Sequence, residues 1–160
     1  MDFTGIGRSR LQLRWVSAAE GQLFANYVSE LSDLIAKLGP FQPADFALEL
    51  AAAASVLNST RIRWLMGMDR HITEEENVYH DKIEATAYQA FLRQALADEY
   101  EKGLIFEALA EGPQSVREMA GKTGLPVYTV SLRLNDLERG GQAQFHKFEG
   151  TTAKFVRPAA

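Results

Sequence analysis

The sequence predicts a mainly α-helical fold that ends in a small β-hairpin. Three observations support this fold class. Apolar residues recur at the spacing of an α-helix over residues 23–38 and 83–111, and residues 44–57 are rich in the helix formers alanine and leucine. Two short segments near the C-terminus carry helix start and stop signals. The two segments after them alternate polar and apolar residues around a glycine, as the strands of a hairpin do.

The first forty residues are predicted to be the end of an α/β domain, a strand followed by a helix. Leu11, Leu13 and Trp15 alternate with polar residues, which is typical of a strand. Residues 17–20, Ser-Ala-Ala-Glu, have the form of a capping box, and an apolar helical stripe then runs to the stop signal Gly39-Pro40. The stripe consists of Leu23, Phe24, Tyr27, Val28, Leu31, Leu34, Ile35 and Leu38. No neighbouring strand candidate precedes the C-terminal hairpin, although a strand ordinarily has neighbours in a sheet. We therefore expect either a strand that completes a partner's sheet or an extended arm packed on this chain's own helices.

The middle of the chain is predicted to be a helical linker region. Pro43 suits the first position of a helix, and residues 44–57 favour a tight contact with another helix. Residues 60–71 form an amphipathic basic segment that either continues this helix or starts a new one after residue 58. We expect Trp64 in that segment, like Trp15, to be buried in the chain's own core, with an interface role as the alternative.

The segment of residues 73–82 is polar, and we expect it to be irregular. Helical periodicity resumes over residues 83–111, where Asp98 and Gly103 are candidate break points. The later part of this segment would form the first helix of a C-terminal domain.

The last third of the chain has the order of elements of a helix-turn-helix. Residues 115–118, Ser-Val-Arg-Glu, have the form of a capping box, which starts a short helix. Gly124 suits the left-handed position after that helix, and Pro126 can open a second helix that runs to about Arg139. A hairpin after two such helices predicts a winged helix-turn-helix with a two-stranded wing. The expected strands are residues 142–148 and 152–157.

The composition excludes several classes of protein. A chain of 160 residues with 46% hydrophobic content can bury one ordinary core or two small ones. The sequence contains no cysteine, which excludes a disulfide, a zinc ribbon and an iron–sulfur cluster held by this chain's own side chains. The N-terminus has the pattern of neither a signal peptide nor a membrane span, so we expect a cytoplasmic protein. The net charge of −4 argues against bulk affinity for nucleic acid, although seven Lys and Arg oppose four Asp and Glu from Pro113 onward.

The N-terminal segment resembles a known family. Residues 10–21, Arg-Leu-Gln-Leu-Arg-Trp-Val-Ser-Ala-Ala-Glu-Gly, with Phe24-Ala25 and the helix end Leu38-Gly39-Pro40, resemble the C-terminal end of the delta subunit family of methyl-viologen-reducing hydrogenase. The resemblance covers about thirty residues. Residues 61–66 and 77–79, with Lys82-Ile83, are similar to a helical extension that precedes a winged helix in some members.

The resemblance implies a role in electron transfer. Members of the family are iron–sulfur proteins that link hydrogenases or other electron donors to heterodisulfide reductase. Their cluster-binding cysteines lie upstream of the matched segment, so no cluster ligand carries over, and the cluster is expected in a partner or in a missing upstream portion. The chain is then either a separately encoded subunit or a fragment of a longer one. We expect a non-catalytic accessory or docking portion of an oxidoreductase complex, with redox subunits as partners.

Three domains follow from these predictions. Residues 1–40 would be the terminal βα unit of a hydrogenase delta-subunit-like domain, residues 41–95 a helical linker region, and residues 96–160 the winged-helix domain.

The second helix of the predicted helix-turn-helix favours a protein partner over DNA. If Val130, Leu134 and Leu137 are buried, a rotation of about 100° per residue places Tyr128, Leu132, Asn135 and Arg139 on the opposite face, which has one cation. A helix in the major groove normally presents several cations and hydrogen-bonding side chains. The candidates for partner docking are Trp15, Phe24, Tyr27, Leu31, Ile35, Tyr128 and Leu132. The alternative, a DNA-binding transcriptional regulator, would use Asn135, Arg139, Lys147 and Lys154.

Catalytic and metal-binding patterns are weak. His71 with Glu75, and Glu76 with His80, are spaced as two ligands on one helix face would be, but no second ligand set accompanies them. The acidic run of residues 74–76 is most simply a solvated surface. The histidines have no nucleophile beside them, and no phosphate-binding glycine loop is present. We therefore predict no catalytic, cofactor or metal residues in this chain.

Overall fold

The structure is a computed structural model that describes residues 3–158, and over that range it contains six α-helices and one two-stranded antiparallel sheet. The helices account for 64% of the chain, so the predicted mainly helical fold with a C-terminal two-stranded wing is confirmed. None of the described helices is long and apolar enough to span a bilayer. The elements are α1 (Gly21–Leu38), α2 (Ala47–Asn58), α3 (Thr60–Glu74), α4 (Ala85–Ala108), α5 (Val116–Thr123), α6 (Val127–Arg139), β1 (Gln144–Glu149) and β2 (Thr152–Val156).

The chain divides into two compact units, Met1–Ala47 and Leu48–Ala160. The helical middle and the winged helix fall in the same unit, because α4 is one continuous helix that contacts α3 on one side and α5 and α6 on the other. The N-terminal unit contains α1 with the segment before it and a 3₁₀ turn after it, Pro43–Phe46.

The strand expected at residues 11–16 is not formed. Residues 12–16 have no regular secondary structure, since a strand needs a hydrogen-bonded neighbour and the only sheet in the described residues is the C-terminal wing. The capping box expected at residues 17–20 forms only in part. The Glu20 carboxylate accepts the Ser17 N–H at 2.7 Å, but the Ser17 hydroxyl accepts from Ala19, and α1 begins only at Gly21.

Helices α2, α3 and α4 form a helical body in the middle of the chain. Their bounds decide between the alternatives that the sequence leaves open there. The helix restarts after Asn58, because the Ser59 side chain caps α3 by accepting the Ile62 N–H at 3.5 Å. Helix α4 does not break at Asp98 or Gly103. Gly103 is instead the point where α4 packs closely on Ala52 of α2, as the expected tight helix contact requires. The core of this body consists of Ala52, Val56, Ile62, Leu65, Leu92, Ala95, Tyr100 and Leu104.

The winged helix has its own core and the predicted helix ends. Both hydrogen bonds of the capping box form: Ser115 Oγ accepts the Glu118 N–H at 3.3 Å, and Glu118 accepts the Ser115 N–H at 2.7 Å. Gly124 is left-handed, with φ of 70°, and Pro126 is the N-cap of α6 rather than its first residue. Strands β1 and β2 pair around a turn at Gly150. The core consists of Ile105, Leu109, Met119, Val130, Leu134, Leu137 and Ala143.

Candidate protein-docking surfaces

The N-terminal unit exposes an unusual amount of apolar surface. Leu11, Leu13 and Trp15 are 66%, 77% and 83% exposed. Helix α1 has no buried residue, and most of its apolar stripe is exposed, from Phe24 to Leu38. We call this set the N-terminal surface: Leu11, Leu13, Trp15, Val16, Phe24, Val28, Leu31, Ile35 and Leu38. It includes every docking candidate of this unit except Tyr27, which is half-buried.

The segment of residues 11–16 has two different sides. Its even-numbered residues line a groove together with α1, and the guanidinium of Arg14 lies over the ring of Tyr27 at 5.0 Å. The odd-numbered Leu11, Leu13 and Trp15 alternate with them and are the most exposed. The groove is lined by Gln12, Arg14, Val16, Phe24, Tyr27, Val28 and Leu31.

Helix α6 has the two faces that the sequence predicts. Val130, Leu134 and Leu137 are buried in the core of the winged helix. On the other face Tyr128 is 78% exposed, and Leu132, Asn135 and Arg139 are exposed as well. The docking candidates and the nucleic-acid candidates of this helix therefore share one accessible surface.

Arg133 of α6 is occupied by carboxylates of the unit's own helices. Its guanidinium donates to Glu101 at 2.7 Å, contacts Asp98, and lies 3.6 Å from Asp136. The hydrogen bond to Glu101 and the three nearby negative charges raise the pKa of Arg133 against the opposing effect of burial. This arginine joins α6 to α4 and presents no free charge to a ligand.

Lys154 is also occupied, although it is a nucleic-acid candidate. The residue is only 8% exposed, and its ammonium group donates to both carboxylate oxygens of Glu118 at 2.7 Å. Glu149 lies 3.5 Å away. The hydrogen bond from Lys154, followed by those from Ser115, lowers the pKa of Glu118 to about 2. Lys154 thus holds the wing on α5, and its charge is paired with these carboxylates.

Most of the positive charge counted from Pro113 onward is paired in this way. Three further cations bind carboxylates: Lys122 with Glu111, Lys147 with Glu149 and Arg157 with Glu107. Within the described part of that region, only Arg117 and Arg139 have no carboxylate within ion-pair distance. The local charge of +3 is therefore not an exposed basic patch.

Strand β1 of the wing carries two exposed aromatic residues, Phe145 and Phe148, which the sequence does not mark as candidates. Phe145 and Phe148 have ring centroids 5.0 Å apart, and Phe145 packs edge-on against Phe155 at 6.1 Å. They are three residues apart, so strict alternation would put them on opposite faces of the strand. A bulge at His146 shifts the register and brings them together. No signal in the local sequence marks this bulge, so alternation alone separates the two rings.

The histidine pairs do not build a metal site. His71 lies 2.7 Å from Glu75 and His80 lies 3.3 Å from Glu76, and all four side chains are exposed. Across residues 3–158, no three His, Asp or Glu side chains converge as ligands of one ion would. Trp15 and Trp64 are 83% and 56% exposed, so the expectation that each tryptophan is buried in the chain's own core is wrong.

Comparisons with protein-family models, with curated proteins and with solved structures give no match to this chain. We therefore infer the function from the burial, the charges and the exposed surfaces of the two units.

Proposed function

We propose that this chain is a non-catalytic docking portion of a cytoplasmic electron-transfer complex related to hydrogenase and heterodisulfide reductase. The observation that carries the docking role is the N-terminal surface. Leu13, Trp15 and Phe24 are 77%, 83% and 57% exposed and no residue of α1 is buried, whereas a soluble monomer seldom leaves so many large apolar side chains together in water. The redox context rests on the resemblance of residues 10–21. The iron–sulfur cluster belongs to a partner or an upstream portion, because this chain has no cysteine.

The winged helix supports a second protein contact in this proposal. Tyr128 and Leu132 on α6 are exposed, and so are Phe145 and Phe148 on the wing. Aromatic side chains are the usual anchors of protein interfaces. Phosphate binding needs free cations, and most cations of this region are bound to carboxylates of the same unit.

A co-purification experiment tests the docking role. The tagged full chain would be co-expressed with the hydrogenase and heterodisulfide reductase subunits of the same source. We expect a stable complex, and we expect Trp15→Ser and Phe24→Ser each to weaken it about tenfold or more, because each removes an exposed apolar anchor. Val78→Ser is the control: Val78 is 88% exposed, against 83% for Trp15 and 57% for Phe24, and lies outside the N-terminal surface and the exposed face of α6. A monomeric chain that retains none of these subunits would contradict the proposal.

A DNA-binding regulator is the second candidate, favoured by the exposed Asn135 and Arg139 on α6 of a winged helix. The test is an electrophoretic mobility shift with the region upstream of the gene at micromolar protein and low salt. We expect no retardation, since even non-specific binders are detected under these conditions. Retardation that Arg139→Ala abolishes would favour the regulator.

A further inference from the structure

Residues 12–16 have no regular secondary structure, and no backbone–backbone hydrogen bond joins them to another described residue. The side chains of residues 11–16 alternate between solvent and the groove beside α1, as those of an extended strand do. The two ends of this segment are held. The Leu11 N–H donates to the Arg8 carbonyl at 3.3 Å, and the Ser17 N–H donates to the Glu20 carboxylate at 2.7 Å. An ordered row of free N–H and C=O groups is a template for pairing with another strand.

Residues 12–16 are also held alongside α1. The Arg10 guanidinium donates to the Leu38 carbonyl at 3.0 Å and to the Gly39 carbonyl at 3.1 Å, which joins the start of the segment to the end of the helix. The turn at residues 17–20 joins the other ends. Because the start of the segment is joined to the end of α1, and the end of the segment to the start of α1, the two run antiparallel, as a strand and the helix after it do in an α/β layer. This preorganisation lowers the entropy cost of binding.

The distribution of apolar side chains indicates what covers this unit. One side of the segment meets the groove under Phe24 and Val28, and the other side carries the exposed Leu11, Leu13 and Trp15. Pairing of two copies through this segment would leave the outer row of each copy in water. A sheet covered by helices on both faces would bury both sides.

We propose that residues 12–16 add as a strand to the open edge of a β-sheet in an α/β partner subunit, with α1 covering one face of that sheet. This inference rests on the docking role proposed above. It adds that the contact is made through the main chain of residues 12–16 as well as through apolar side chains.

Hydrogen–deuterium exchange of the full chain, alone and in the co-purified complex, tests strand addition. Because successive N–H groups of a strand point to opposite edges, we expect alternate amides within residues 12–16 to exchange at least tenfold more slowly in the complex. Proline removes a donor at one edge only. We therefore expect only one of Leu13→Pro and Arg14→Pro to abolish the complex, whereas Leu13→Ala and Arg14→Ala retain it at reduced affinity.

The possible outcomes separate the two proposals. A complex in which the amides of residues 12–16 exchange as in the free chain would overturn strand addition and leave the docking role intact. Protection that appears in the chain alone and rises with its concentration would identify a second copy as the occupant, which also overturns it. Absence of any complex would refute the docking role, and strand addition with it.

Discussion

At the scale of single residues, Glu118 joins the start of α5 to strand β2 of the wing. Its carboxylate accepts the Ser115 N–H that begins α5 and binds Lys154 of β2. One side chain therefore completes a helix cap and fixes the wing. The sequence predicts the cap, because Ser115 and Glu118 are three residues apart. It does not predict the ion pair, because Lys154 is 36 residues away and only the folded chain brings it there.

The low pKa of Glu118 predicts a loss of stability in acid. The pKa lies at about 2 in the folded chain against an ordinary value of 4.5. A carboxyl group with a lowered folded pKa contributes stability that is fully present above its unfolded pKa and is lost as the pH falls through its folded pKa. We therefore expect the free energy of unfolding of the wild-type chain to fall between about pH 4.5 and pH 2.

Urea denaturation at several pH values measures this effect. Glu118→Gln should lower stability at pH 7 and flatten the decline in acid, because the amide cannot titrate. Glu138→Gln is the control, since Glu138 is exposed and forms no ion pair among the described residues. Identical pH profiles for Glu118→Gln and the wild type would show that the cap and the ion pair contribute nothing measurable.

At the scale of elements, two similar sequence motifs behave differently. Residues 115–118 and 17–20 both have serine and glutamate at capping-box spacing, yet only the first forms the box. Ser115 is buried, and the backbone of Gln114 beside it pairs with Phe155 of β2 at 2.9 and 2.8 Å. Ser17 is exposed and has no such neighbour, so a turn precedes α1. The motif predicts a helix start, but tertiary contacts decide where the helix begins.

The contact between α2 and α4 predicts the effect of a methyl group. A Cβ on Gly103 would lie 3.1 Å from the Ala52 carbonyl oxygen, so Gly103→Ala should force the helices apart and cost about 1–3 kcal/mol. Gly67 in α3 is the matched control, because a Cβ there meets nothing within 4 Å. Gly67→Ala should stabilise the chain by about 0.5–1 kcal/mol, as alanine is the better helix former. Equal effects of the two substitutions on urea midpoints would refute the close contact.

At the scale of the whole molecule, the sequence predicts the fold better than it predicts the exposed surfaces. Helical periodicity and caps locate the helical segments of the described residues, and alternation around Gly150 locates the wing. They leave open the division between α2 and α3 and the continuity of α4. The docking candidates are exposed except Tyr27, which is half-buried, and their role in docking stays a prediction. Charge counting overstates the basic character of the winged helix, because Arg133 and Lys154 pair with distant carboxylates. Long-range pairing of this kind has no signature in local sequence.

The central claim is that this chain binds redox subunits through apolar surface. Titration calorimetry of the full chain against the hydrogenase and heterodisulfide reductase subunits at several temperatures measures it most directly. We expect a Kd of about 1 μM or tighter with a negative heat-capacity change, which is the mark of apolar burial, and little dependence on salt. Absence of any binding heat at tens of micromolar protein, or binding that weakens steeply with salt, would contradict the account.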